Sequence, residues 1–269
     1  MININLTQEE IELLEEILIR FGSVVTFNQL ASLIDEDRAY TRKRVQKLVQ
    51  QGWLTRIKRG VYVLSDFSSR GSLSISHLAV VNHLVADSYV SFESALQFHG
   101  LFDQLLTTTT AVSLSQYQPV EIDGFTYVFV KTNPKYYYGW EEHILDGQRT
   151  NIAHVEKAML DLLQFHRTVY STDLVLEILR NHQEAIDTRR LVDFGLRANL
   201  TTRRILGFLM DLSTINTTEV LASVQSADGV SYLSQSENNL YHPKWKLYYD
   251  PFFTQYDDTA TDTATTGTD

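Results

Sequence analysis

The sequence predicts an α+β protein, and three observations carry that reading. Two helix-start signatures with apolar residues at three- or four-residue spacing open the chain, a β-rich hairpin pattern follows, and the remainder mixes short strand patterns with a helical C-terminal half. With 43% hydrophobic residues over 269 positions, the chain is long enough to bury its core in two domains without covalent staples.

Taken in order, Thr7 followed by Glu10 reads as a capping box: the hydroxyl accepts from the Glu10 amide and the carboxylate reaches back, so a helix starts at Thr7. Ile11, Leu14, Leu18 and Phe21 are its expected apolar stripe, and Gly22 closes it. A second box, Thr26 with Gln29, starts a short helix whose Leu30, Leu33 and Ile34 are expected to face the first. The turn Asp35-Glu36-Asp37 leads into a third helix over residues 39–51. On it Thr41, Val45, Leu48 and Val49 gather on one side and Lys43, Gln46, Lys47 and Gln50 on the other, with Arg42 and Arg44 flanking. Gly52 ends this helix, and two β-rich arms, residues 53–57 and 61–64, enclose the turn Lys58-Arg59-Gly60. Three short helices and a hairpin describe a winged helix-turn-helix.

The charges in this stretch are segregated. Residues 38–60 hold Arg38, Arg42, Lys43, Arg44, Lys47, Arg56, Lys58 and Arg59 and no acidic residue, which leaves 15 of the 23 basic residues against all 33 acidic ones elsewhere in a chain of formal net charge −10. Such asymmetry asks for an anionic partner. A recognition helix places its N-terminal residues against base edges in the major groove, where Arg42, Lys43 and Arg44 would sit, and a wing tip would bring Arg56, Lys58 and Arg59 to phosphates. Counterion release makes that local charge matter more than the acidic total. A solvated basic face is the plainer alternative, but the acid-free run spans both a helix and a hairpin that would converge on one surface.

Beyond a small polar linker at residues 65–73, residues 77–85 and 93–101 read as helices, 89–92 as a short strand, and 109–115 as a strand. Residues 120–131 read as a hairpin around Asp123-Gly124, a pair suited to a type I′ turn, and from Asn151 onward the pattern is nearly all helical. The expected fold is therefore an N-terminal winged helix-turn-helix followed by a mixed α+β domain with a small sheet and a helical C-terminal half. The expected domains are residues 1–70, 71–256, and a Thr- and Asp-rich tail at 257–269 with too little apolar surface to order itself. The absence of Cys excludes disulfides and thiolate metal sites and is compatible with a reducing cytosol. With no signal-peptide pattern and no apolar run near the ~20 residues of a membrane span, a cytoplasmic protein without a membrane partner is expected.

In order and at plausible separations, "LVQQGWLTRIKRGVYVL", "YVSFESALQFHGL" and "IAHVEKAMLDLL" resemble the AbiEi family, the antitoxin and transcriptional repressor of type IV toxin–antitoxin (abortive infection) systems of phage defence. The resemblance covers roughly residues 7–165. It implies a protein that binds inverted repeats of double-stranded DNA in its own promoter, represses the operon, and counters a nucleotidyltransferase toxin through its C-terminal domain, with direct contact to the toxin left open. Carried onto this chain, it places DNA contact on Arg42, Lys43, Arg44, Lys47, Arg56, Lys58 and Arg59, and no short motif fixes the residues that oppose the toxin. The Thr-rich tail departs from the family pattern.

Enzyme chemistry finds little footing, so no catalytic residue, cofactor or metal is expected. A restriction-type nuclease site needs an acidic residue two before a Lys, yet Lys131 follows Phe129 by two, and Asp123 serves a turn. His77 and His83 lie six apart on one predicted helix and point in different directions, and His99 is read as a helix C-terminal residue meeting the dipole. Glu156, Lys157 and Asp161 are read as a solvated helical face with an i, i+4 pair. The aromatics of residues 135–140 are read as core or edge packing, with an interface as the alternative, and Arg189, Arg190, Arg197, Arg203 and Arg204 form a second basic region opposed locally by Asp193.

Overall fold

Both capping boxes form in the computed structural model, which describes residues 6–65, 72–234 and 238–256. The expected linker at 65–73 lies largely, and the expected tail at 257–269 wholly, outside the described residues. The chain forms two compact units, one of Met1–Val90, Leu105–Thr132 and Glu141–Ile152, the other of Ser91–Gln104, Asn133–Trp140 and Ala153–Asp269.

The first unit opens with α1 (Gln8–Phe21), β1 (Val24–Thr26), α2 (Phe27–Ile34), α3 (Arg38–Gln50), β2 (Leu54–Lys58) and β3 (Val61–Leu64). This is the winged helix-turn-helix, with an added strand: β1 pairs antiparallel with β3, which pairs with β2 in the order β1-β3-β2. Asp37 caps α3 by accepting from the Ala39 and Tyr40 amides, so the helix starts at Arg38. Beneath α3 a core forms from Leu14, Ile17, Leu30, Val45, Leu48 and Leu54. The stripe expected on α1 is shifted: Leu13, Leu14 and Ile17 are buried while Leu18 is 49% exposed. Leu13, Leu14, Ile17 and Leu18 offer two overlapping apolar stripes, and only the position of the neighbouring elements selects one.

The same unit continues with α4 (His77–Leu84), β4 (Ser88–Val90), β5 (Thr108–Ser113), β6 (Val120–Ile122), β7 (Phe125–Lys131), β8 (Trp140–Leu145) and β9 (Gln148–Ala153). Six strands make one mixed sheet in the order β6-β7-β5-β4-β9-β8, with β5 parallel to β7 and antiparallel to β4. The turn at Asp123-Gly124 has both φ values positive, 51° and 78°, as a type I′ turn requires. Asp146-Gly147 repeats this chemistry at 50° and 74° between β8 and β9, a strand pair that the periodicity reading passed over. Residues 151–153, expected in a helix, therefore lie in β9. His77 stacks on Phe125 with ring centroids 4.3 Å apart, and His83 Nε2 lies 3.0 Å from Gln148 Oε1. No group of three or more His, Asp or Glu side chains placed to hold a metal occurs among the described residues.

The second unit contains α5 (Phe92–Phe98), α6 (Val155–Phe165), α7 (Val169–Asn181), α8 (Thr188–Arg197), α9 (Leu200–Leu212) and α10 (Thr218–Gln225). It ends in a small sheet the sequence reading did not anticipate, formed by β10 (Ser231–Tyr232), β11 (Leu240–His242) and β12 (Leu247–Tyr249) in the order β10-β12-β11. The buried Trp245 ahead of β12 anchors it. Its indole Nε1 donates to Asp211 Oδ2 at 2.6 Å, and its ring lies where a Cβ on Gly207 would have to be, within 2.1 Å.

One reading is corrected here. Glu156, Lys157 and Asp161 are not a solvated face, since all three are buried. Helix α6 packs against α5, α7, α8 and α9, so even its polar positions meet protein, and each charge finds a partner there. Lys157 pairs with Asp161, Ser91 Oγ donates to Asp161 Oδ2 at 2.7 Å, and Glu156 Oε1 accepts from the Asp187 amide at 2.7 Å. The five arginines of residues 189–204, which the sequence could not place on one surface, each find partners within the protein. Arg189 pairs with Asp193 and Glu219, Arg190 with Glu156 and Asp187, and Arg197 lies 3.5 Å over the Tyr138 ring. Arg203 donates to the Ser223 carbonyl, and the buried Arg204 donates to Ser231 Oγ and the Ala227 carbonyl. His99 is also redirected, its Nε2 hydrogen-bonding the Ala153 carbonyl at 2.8 Å.

The buried pair makes a sharp test. Lys157→Met strands the Asp161 carboxylate in the core and is expected to cost about 3–5 kcal/mol, whereas replacing both partners by Met and Leu is expected to recover most of that loss. Chemical denaturation of the three proteins measures it. A single variant as stable as the parent would show that the pair does not support the fold.

Candidate nucleic-acid interface

The segregated cations sit on two elements whose direction is set by burial. Thr41, Val45 and Leu48 are buried beneath α3, which turns Arg42, Lys43, Gln46 and Gln50 outward. In the wing, Ile57 and Val63 are buried, which turns Arg56, Lys58 and Arg59 to the exposed side. Between α3 and the wing lies a cleft of about 860 Å³. Arg38, Arg42 and Gln46 line it from the helix and Arg56 and Arg59 from the wing, while Phe27, Val45, Val49 and Tyr62 contribute apolar surface.

No carboxylate lines this cleft, and none lies within ion-pair distance of Arg38, Arg42, Arg56 or Arg59 among the described residues. Arg38 rests over the Phe27 ring, 5.5 Å from its centroid, and Arg56 Nε donates to the Lys58 carbonyl at 3.4 Å. Lys58 Nζ reaches the Leu84 carbonyl at 3.5 Å. Guanidiniums that line one cleft with no ion-pair partner among the described residues form a positive field to which an external anion is attracted.

The seven expected contact residues are thus divided. Arg42, Arg56 and Arg59 meet at the cleft, Lys43 stands on the adjoining exposed face, and Lys58 is on the wing. Arg44 and Lys47 lie on the opposite flank of α3, against α1. Arg44 Nη2 is 3.4 Å from the Glu9 carbonyl and 3.8 Å from the Glu9 carboxylate, and Lys47 Nζ is 2.7 Å from Glu10 Oε1. Arg38 and Asn28 line the cleft yet were not selected from the sequence. Arg38 carried a legible signal, since it stands four residues before Arg42 and eight before Gln46 on one helix. Asn28 carried none, because its approach depends on how α2 meets the wing.

Residues 12–65 match the model of a family described as "Transcriptional regulator, AbiEi antitoxin". The match covers the winged helix and supports a DNA-binding regulator; that family is one of antitoxins and transcriptional regulators, which is not a class of enzymes. Among solved structures, the chain is similar to the RV2827C protein from Mycobacterium tuberculosis, with a TM-score of 0.66 at 12% identity over 93% of this chain and 94% of that one, a likeness of fold. No curated protein matches the sequence. No helix among the described residues is long and apolar enough to cross a membrane.

The contact between α1 and α3 is testable through Glu10. Burial pushes its carboxyl upward, but the Lys47 ammonium and the hydrogen bonds from Thr7 outweigh burial and hold it below its ordinary value. A carboxyl depressed in the folded state contributes stability that is present above its unfolded value and lost as the pH falls through its folded value. Lys47→Met removes the charge and keeps the stem, so the Glu10 pKa is expected to rise and acid unfolding to begin at higher pH. NMR titration of the Glu10 carboxyl carbon checks this, and an unchanged titration would show that the capping hydrogen bonds alone hold the carboxylate.

Proposed function

We propose that this protein is a DNA-binding antitoxin and autorepressor, which binds inverted repeats in its own promoter through α3 and the wing and counteracts a nucleotidyltransferase toxin through the α+β remainder. One observation carries the reading: a carboxylate-free cationic surface shared by a recognition helix and a wing, inside the stretch that matches the AbiEi regulator family. The DNA partner implies a cytoplasmic protein, and the regulator role needs no catalytic residue. We assign the DNA-binding part to residues 1–70 and toxin antagonism to residues 71–256.

Within the interface, Arg42 and Lys43 at the start of α3 read base edges, and Arg56, Lys58 and Arg59 meet phosphates. Arg44 and Lys47, ion-paired with Glu9 and Glu10, add little net field and contribute less to DNA binding.

Three outcomes are expected. Promoter binding should weaken with salt at a slope of log affinity against log salt of roughly −3, from about −0.9 for each of Arg56, Lys58 and Arg59. A flat response in fluorescence anisotropy would remove the electrostatic basis. Arg42→Ala should cost about 1–3 kcal/mol on the cognate site and relax base preference, while Lys58→Ala and Arg59→Ala should weaken all sequences alike. Equal losses on promoter and random DNA for Arg42→Ala would overturn its assignment to base edges. Finally, an Arg42→Ala/Arg59→Ala variant should release a promoter reporter from repression and still protect cells that express the cognate toxin. Loss of protection together with repression would mean that the protein acts only by silencing toxin transcription.

A further inference from the structure

The cleft between α3 and the wing has two kinds of wall. Four arginines line it, two from α3 and two from the wing, and the half-buried Phe27 and Tyr62 with Val45 and Val49 add apolar and aromatic lining. Duplex DNA satisfies only the first kind. Its phosphates can meet the arginines, but its bases are stacked inside the helix, and a backbone passing the arginines offers the aromatic lining nothing to stack on. A ligand that joins a phosphate chain to a flat aromatic group would fill both parts at once. Arg38 and Arg42 face Arg56 and Arg59 across the cleft, as a clasp on a phosphate chain requires. Gln46 and the exposed Asn28 add side-chain amides able to meet the edge of a base.

We infer that this cleft binds a free nucleoside triphosphate, with the phosphates between the arginines and the base on Tyr62, since Arg38 already covers the Phe27 ring. Because Arg42, Arg56 and Arg59 are also the proposed DNA contacts, nucleotide and promoter DNA exclude one another, and promoter occupancy falls as nucleotide rises. The nucleotide site stands on the cleft alone, and only the competition rests on the DNA-binding reading.

The test is calorimetric titration of the full-length protein with ATP, beside sodium tripolyphosphate as the base-free anion. ATP is expected to bind saturably and roughly tenfold tighter than tripolyphosphate, the advantage that stacking one base supplies. Arg59→Ala should weaken both anions by roughly tenfold. Tyr62→Leu should erase the ATP advantage and leave tripolyphosphate unchanged. Gln46→Glu, a change at an exposed position that spares the core, puts a carboxylate in the cleft and should weaken both. ATP should also release bound promoter DNA in an anisotropy assay. Absence of saturable ATP binding, equal affinity for ATP and tripolyphosphate, or binding unmoved by Gln46→Glu overturns the inference. Promoter binding without ATP binding removes the nucleotide site and leaves the regulator intact, whereas ATP binding without promoter binding does the reverse.

Discussion

The winged helix depends on the burial of Val45 and Leu48 beneath α3, against Leu14, Ile17, Leu30 and Leu54. Helix α3 carries Arg38, Arg42, Lys43, Arg44 and Lys47 with no acidic residue of its own, so like charges oppose its formation by a few tenths of a kcal/mol for each close pair. Each fully buried Val or Leu returns about 1.5–3 kcal/mol. The apolar term is the larger, and it fixes the rotation of α3 about its axis. Which cations face the cleft, which face solvent and which face α1 all follow from that rotation.

Acidic residues then sort the cations by flank. On one side, Glu9 and Glu10 from the first turn of α1 meet Arg44 and Lys47. Glu10 has a second task, since the same carboxylate accepts from the Thr7 amide and completes the capping box. On the other side, the wing brings Arg56 and Arg59 to the same cleft as Arg38 and Arg42, which no carboxylate lines among the described residues. A single helix thus has a neutralised flank that belongs to the fold and an open flank available to an anion. The local field there survives in a chain of net charge −10 because screening limits the reach of distant acidic residues to about 8–10 Å.

The second unit spends its charges inward. Helix α6 is enclosed by its neighbours, so Lys157 and Asp161 are fully buried partners and Glu156 holds the Asp187 amide that starts α8. Tyr138 lies beside the Arg197 guanidinium and donates to the Phe194 carbonyl; burial pushes its phenol up to about 12. These contacts brace the interior, together with the buried Arg204, while Arg189 pairs with Asp193 and Glu219 on the exposed side.

Local chemistry was legible in the sequence. The capping boxes at Thr7 and Thr26, the turn at Asp123-Gly124 and the acid-free run of cations each depend on residues within a few positions of one another, and each stands where the spacing places it. Other features depend on what an element meets, which no spacing encodes. The stripe on α1 moved because Leu13, Leu14, Ile17 and Leu18 permit two faces, and the surroundings chose one. The small sheet of β10–β12 was illegible because two- and three-residue strands have almost no period to read. Polar residues such as Glu156, Lys157 and Asp161 read as solvent-facing until four helices surround them. The cleft is the clearest case. The sequence determined that the arginines exist and that their stretch lacks acid, but the pairing of β2 with β3 and the packing of α3 decided which four would meet, because a cleft belongs to two elements at once and to neither alone.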